Sequence, residues 1–160
     1  MLKSLQIRNY VLIDSLDVEF PEGLIIISGQ TGAGKSILLG ALSLVLGSKA
    51  DSSVIGNDAD SCVVEAVFGV PKSDSLLRDI LRENDVEADE DELIIRRVVN
   101  RSGRSRSFIN DAPVSVQVLQ GISARLVDIH SQHQTLLLSD KVFQLSMLDH
   151  YAGNEELLEE

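Results

Sequence analysis

An α/β fold with a mixed sheet is predicted by three features of this 160-residue chain. Residues 15–20 (SLDVEF) place Leu16, Val18 and Phe20 on one face and Asp17 and Glu19 on the other, the alternation of a half-buried antiparallel strand. Leu24–Ile27 is an uninterrupted apolar run, which suits a strand buried on both faces of a parallel sheet. Directly after it come a glycine-rich octapeptide, residues 29–36 (GQTGAGKS), and an apolar stretch of helical length, Ser36–Leu46. A strand, a glycine-rich loop and a helix in that order form the core unit of the P-loop nucleoside-triphosphate-binding folds.

The remaining elements follow in order. Residues 2–8 alternate loosely and predict a strand, and Pro21-Glu22-Gly23 a turn. The helix over Ser36–Leu46 ends before Gly47, the residue that most readily takes the left-handed cap conformation. Cys62–Val70 predicts a second apolar strand. Residues 74–84 carry Leu76, Leu77, Ile80 and Leu81 at helical spacing, with Asp74 as the N-cap. Six acids in residues 85–92 read as a solvated loop. Leu93–Val99 and Ser107–Ile109 predict strands joined by a hairpin at Arg101-Ser102-Gly103-Arg104. Val114–Leu126 predicts a helix with Ser115 near its start, residues 127–138 a strand-to-loop passage, and 140–150 a short helix. The tail 154–160 (NEELLEE) favours helix and ends without a cap, as at the start of a longer helix.

Composition narrows the function. With 44% apolar and 24% charged residues the chain has ordinary globular usage, enough to bury a core without metals or disulfides. Fourteen basic against 25 acidic residues give a net charge of −11, which disfavours a chain-wide nucleic-acid surface. Residues 93–130 depart from that balance, with Arg96, Arg97, Arg101, Arg104, Arg106 and Arg125 against Asp111 and Asp128. Two readings of this cluster stand side by side: a phosphate- or partner-facing rim, or arginines paired with the acidic 85–92 run. Cys62 is the single cysteine, so no intrachain disulfide or cysteine zinc site is available; a small core residue is its expected role. No apolar stretch approaches ~18 residues and no signal-peptide core follows Met1, so a cytoplasmic domain without membrane contact is expected.

The chemistry lies in the octapeptide. Gly29-Gln30-Thr31-Gly32-Ala33-Gly34-Lys35-Ser36 matches GxxxxGK[ST], which a chain of this length meets by chance with a probability of roughly 0.005. Its glycines let backbone amides approach phosphate oxygens closely. The helix that follows, running on through Ile37, points its unsatisfied N–H groups at the same anion. Lys35 then reaches the β- and γ-phosphates, and the Ser36 hydroxyl ligates Mg²⁺. No Asn-Lys pair of the GTPase base-recognition type occurs. Asp128 follows only two apolar residues, which fits a sheet-end carboxylate better than the acid that holds Mg²⁺ in hydrolysis.

The opening 50 residues resemble the start of the bacterial RecN DNA-repair ATPases, relatives of the SMC proteins. Three further stretches strengthen the resemblance: residues 46–51 (LGSKAD), 103–110 (GRSRSFIN) and 127–134 (VDIHSQHQ). The resemblance implies one lobe of an ABC-type ATPase head (residues 1–150) and the start of a coiled-coil helix (151–160). In such a lobe a mixed sheet adjoins an antiparallel β part, and here the sheet would be incomplete. By the same analogy Gln132 reaches Mg²⁺ or the attacking water, and Lys49 corresponds to a basic residue near the nucleotide. Arg8 and Tyr10 occupy positions that often touch nucleotide, with strand-end packing the expected role of Tyr10. Ser131 departs from the family's usual glycine. His130 and His133 flank Gln132, but two histidines without a third ligand make a weak metal site.

The resemblance further implies ATP and Mg²⁺ as cofactors and a role in recombinational repair of double-strand breaks, in a bacterial, nucleoid-associated protein. The implied partners are the C-terminal half of its own head, a second copy, and DNA in the full-length protein. No signature-type LSGGQ stretch occurs, so this fragment is expected to bind nucleotide and hydrolyse it poorly. Two other functions compete: a self-sufficient small P-loop kinase, and a non-enzymatic dimerisation or DNA-contact module.

Overall fold

In the computed structural model, which describes residues 1–28, 32–70, 75–86 and 91–127 (backbone alone at Gly32, Ala33, Ser75 and Leu76), alternation sets the architecture. The strands are β1 (Leu2–Tyr10), β2 (Ile13–Glu19), β3 (Ser61–Gly69), β4 (Glu92–Asn100), β5 (Ser105–Ile109) and β6 (Ala112–Val114). They form one sheet in the order β2-β1-β3-β4-β5-β6, and all five pairings are antiparallel. The helices are α1 (Gly32–Val45), α2 (Ser75–Glu83) and α3 (Val116–Leu126). Tertiary contacts divide the chain between Val127 and Asp128, and every described residue belongs to the first unit.

Every second residue of β3 and β4 is buried: Cys62, Val64, Ala66 and Phe68, then Leu93, Ile95, Arg97 and Val99. Leu5 and Ile7 of β1 and Ile109 of β5 complete that face. Ala41, Leu44 and Val45 of α1, Leu77 and Leu81 of α2, and Leu119 and Ile122 of α3 supply the helical side of the core. The opposite face carries the polar partners, with Gln6, Glu65, Arg96 and Phe108 in register across four strands. There the Arg96 guanidinium lies 5.2 Å from the centre of the Phe108 ring.

Most predicted elements form, several with longer bounds. Strand β5 begins two residues before its expected start, and β6 was not foreseen. Ser115 is the N-cap of α3, its hydroxyl accepting from Val118 N at 3.2 Å. Cys62 is fully buried, as a core residue should be. Asp74, the expected cap of α2, lies outside the described residues, as do Asp128 and everything after it.

The expected strand at Leu24–Ile27 does not form. Its backbone joins no ladder, and its side chains face solvent, Leu24 at 91% and Ile26 at 80% exposure. A strand buried on both faces needs neighbours to accept its amides and cover its side chains. Among the described residues the sheet ends at β2 on one side and β6 on the other, and neither edge pairs with this segment.

Candidate phosphate-binding site

Helix α1 begins inside the glycine-rich loop. Gly32 and Ala33 already belong to its first turn, so the helix starts four residues before its expected first residue, Ser36, and Lys35 lies within it. Gly34, Lys35 and Ser36 are exposed, whereas Ile37 is half-buried and packs against the core. The first turn carries no acidic residue, so nothing there offsets the positive end of the helix dipole. A Cβ at Gly34 would meet nothing within 4 Å, so the approach to this backbone is open. Gly29, Gln30 and Thr31 lie outside the described residues.

Helix α1 is held across the sheet at its middle and far end. Tyr10, 7% exposed, packs against Gly40: a Cβ there would stand 2.7 Å from the phenol oxygen. Burial pushes the Tyr10 phenol above its ordinary value. At the C-terminus, Gly47 N donates to Leu44 O (3.1 Å) and Ser48 N to Ser43 O (3.0 Å), a Schellman cap with Gly47 at φ +105°. Gln120 of α3 donates to Gly47 O at 2.7 Å, and a Cβ on Gly47 would lie 2.6 Å from Gln120 Cγ. Arg97 of β4 donates to Ser105 Oγ at 2.5 Å and reaches Ser48 O at 3.5 Å. Burial lowers the Arg97 pKa, since no carboxylate faces it among the described residues. Sequence reasoning missed Gln120 entirely. Arg97, however, was legible as an inward residue from the alternation Leu93, Ile95, Arg97, Val99.

The other expected contacts resolve differently. Arg8 forms a forked pair with Asp17 (3.1 and 3.0 Å), and Tyr10 packs at the strand end. Lys49 stands exposed beyond the far end of α1, which at 1.5 Å per residue is about 21 Å long. It therefore does not join the exposed first turn. Residues 87–90 of the acidic run lie outside the described residues, and Arg96 and Arg101 find partners elsewhere. Arg96 binds Glu65 (3.5 Å) and Asp111 (2.5 Å), and Arg101 donates to the carbonyls of Ala59 and Asn57.

Beside Lys35 lies an apolar groove of about 270 Å³, walled by Leu2, Leu5, Phe20, Ile27, Leu38, Leu39 and Leu42. It joins the exposed start of α1 to the unpaired Leu24–Ile27 segment. Gln132, His130 and His133 lie outside the described residues, and among those described no three metal-ligating side chains converge. No described helix is long and apolar enough to cross a membrane.

The comparisons agree with this architecture. DNA repair protein RecN of Vibrio cholerae is 39% identical over 158 residues, 99% of this chain and 28% of that protein. RecN of Haemophilus influenzae is 36% identical over 160 residues, again covering 28% of its length. The chain thus spans under a third of the curated relatives it matches. Among solved structures, a chain from work on ATP-driven dimerisation and DNA-stimulated activation of SMC ATPases aligns with a TM-score of 0.63. It is 20% identical, and the alignment covers 92% of this chain and 96% of that one, a likeness of fold. The AAA domain family matches residues 4–156, and the chain belongs to it.

Proposed function

We propose that this chain is the ATP-binding lobe of an SMC-like ATPase head acting in recombinational DNA repair, completed by the C-terminal half of the same protein. The observation that carries the reading is the juxtaposition at one edge of the lobe. An exposed helix start bearing Lys35 and Ser36 adjoins an apolar groove and a four-residue apolar segment without strand partners. The relatives' greater length supplies chain enough to cover that edge.

In this reading the amides of residues 29–36 cradle the triphosphate, the α1 dipole favours its charge, and Lys35 neutralises the β- and γ-phosphates. Mg²⁺ fits the donors present. Ser36 offers a hydroxyl, and Mg²⁺ characteristically keeps several waters and phosphate oxygens in its shell rather than needing an all-protein cage. The metal would offset charge developing on the transferred phosphoryl group. Gln132 would serve as the second protein ligand or orient the attacking water. Residues 1–150 make the lobe and 151–160 open the coiled coil. Two heads close on nucleotide, DNA is bound by the full-length protein, and the protein works in the bacterial cytoplasm at the nucleoid.

Phosphate release tests the reading. The 160-residue chain with ATP and Mg²⁺ should turn over negligibly, and adding the C-terminal half of the head should produce turnover that Lys35→Ala abolishes. Steady hydrolysis or phosphotransfer by the chain alone would replace this account with a self-sufficient P-loop enzyme.

A further inference from the structure

Lys35 and Ser36 stand on an exposed end of α1, and packing of the helix deepens only farther along, from Ile37 to Ala41, Leu44 and Val45. A helix is a stiff rod, so the place of its first turn is set by whatever fixes the rest of it. Apolar burial holds α1 on the sheet but is non-directional. Its position along its own axis depends on steric stops and hydrogen bonds. One stop is the Tyr10 phenol against Gly40.

The other is Gln120. Its side-chain amide donates to Gly47 O at 2.7 Å, where the chain leaves α1 at φ +105°. A Cβ on Gly47 would lie 2.6 Å from Gln120 Cγ and 3.6 Å from the Gln120 backbone nitrogen, so α3 itself closes on this glycine. The amide donor also faces the negative end of the α1 dipole, which favours it. The two stops differ in what else they do. Tyr10 belongs to the core, whereas α3 meets the core through Leu119, Ile122 and Ser123 and leaves Gln120 outside it. Packing of α3 therefore does not explain a glutamine at this position.

We propose that Gln120 is a positioning residue for the nucleotide, an inference that rests on the function proposed above. By clasping Gly47 O it fixes α1 along its axis, and with it the backbone amides and the Lys35 side chain that meet the phosphates. Gln120 touches no phosphate itself: it acts from the opposite end of the helix, about 18 Å from Lys35 at 1.5 Å per residue. Without the clasp α1 samples positions that misplace those donors, and apparent affinity falls with the fraction of chains in the competent position.

The test compares the 160-residue chain with Gln120→Met, which keeps the side-chain length over Gly47 and removes the donor, and with Gln120→Lys, which restores a donor. Mg-ATP affinity is measured by calorimetry well below the unfolding transition, and backbone amide NMR shifts are recorded without nucleotide. Gln120→Met should weaken binding about three- to tenfold, as expected for loss of one neutral hydrogen bond, and Gln120→Lys should recover most of it. Gln120→Met should also shift the amides of Lys35, Ser36 and Ile37 at the far end of α1. A purely structural clasp would lower the melting temperature and leave both readouts unmoved, which overturns the proposal. A loss of affinity that Gln120→Lys does not recover assigns the effect to packing and overturns it as well. A parent chain that binds no Mg-ATP overturns the function proposed above and this inference with it, whereas equal binding by parent and Gln120→Met overturns this inference alone.

Discussion

The unpaired Leu24–Ile27 segment offers a perturbation whose effect depends on context. Leu24 is 91% and Ile26 80% exposed, so replacing both by serine removes almost no packing from this chain. Surface substitutions of that kind stay within about 0.5 kcal/mol each, which in a protein of this size moves the melting temperature by only a few degrees. Docked against the C-terminal half, the same side chains would be covered. Full burial of a leucine or isoleucine is worth about 1.5–3 kcal/mol, so the pair should contribute roughly 3–6 kcal/mol to association. The Leu24→Ser/Ile26→Ser chain should therefore unfold almost like the parent in calorimetry while binding the C-terminal half roughly 10²–10⁴-fold more weakly. It should also self-associate less, because an exposed apolar run is removed. A fall in melting temperature above about 10 °C would mean that the segment is packed in the isolated chain. Unchanged affinity for the C-terminal half would mean that it is not the docking edge. Either result refutes the reasoning.

Two further outcomes follow from the packing of α1 and the core. Gly47→Ala should destabilise the chain by about 1–2 kcal/mol in urea titrations, because a left-handed cap and a 2.6 Å approach to Gln120 are both incompatible with a Cβ. Burial pushes the Cys62 thiol from 9.0 up to about 11. An acid whose folded pKa is raised favours folding below its unfolded value, and that contribution fades as pH climbs through the window between the two. Stability should therefore fall between pH 9 and 11 by at most about 3 kcal/mol, with the raised Tyr10 phenol acting in the same direction. Cys62→Ala should flatten this alkaline slope in urea midpoints measured across the window.

Period-two alternation made β3 and β4 legible, and the same alternation placed Arg96 outside and Arg97 inside, although the cluster reads first as a uniform basic rim. The helix stop at Gly47 and the cap at Ser115 were legible because each uses local chemistry that a few residues can specify. Strand β6 was not: it is three residues long with Pro113 at its centre, tolerated because the strand lies at the sheet edge. Leu24–Ile27 was misread for a different reason. An uninterrupted apolar run records the environment a strand requires, and pattern alone cannot show whether its neighbours come from the same stretch of chain. The P-loop reading rests on a local motif of eight residues, whereas the grip of Gln120 and Arg97 on the far end of α1 arises from tertiary contacts across 73 and 49 residues.

The central claim, that the exposed start of α1 is a nucleotide site awaiting the rest of its head, is tested most directly by calorimetric titration of Mg-ATP into the 160-residue chain and its Lys35→Ala variant, with phosphate release followed on the same samples. The account predicts saturable binding that the variant loses, together with negligible turnover. Binding that survives Lys35→Ala, or steady turnover by the isolated chain, would contradict it.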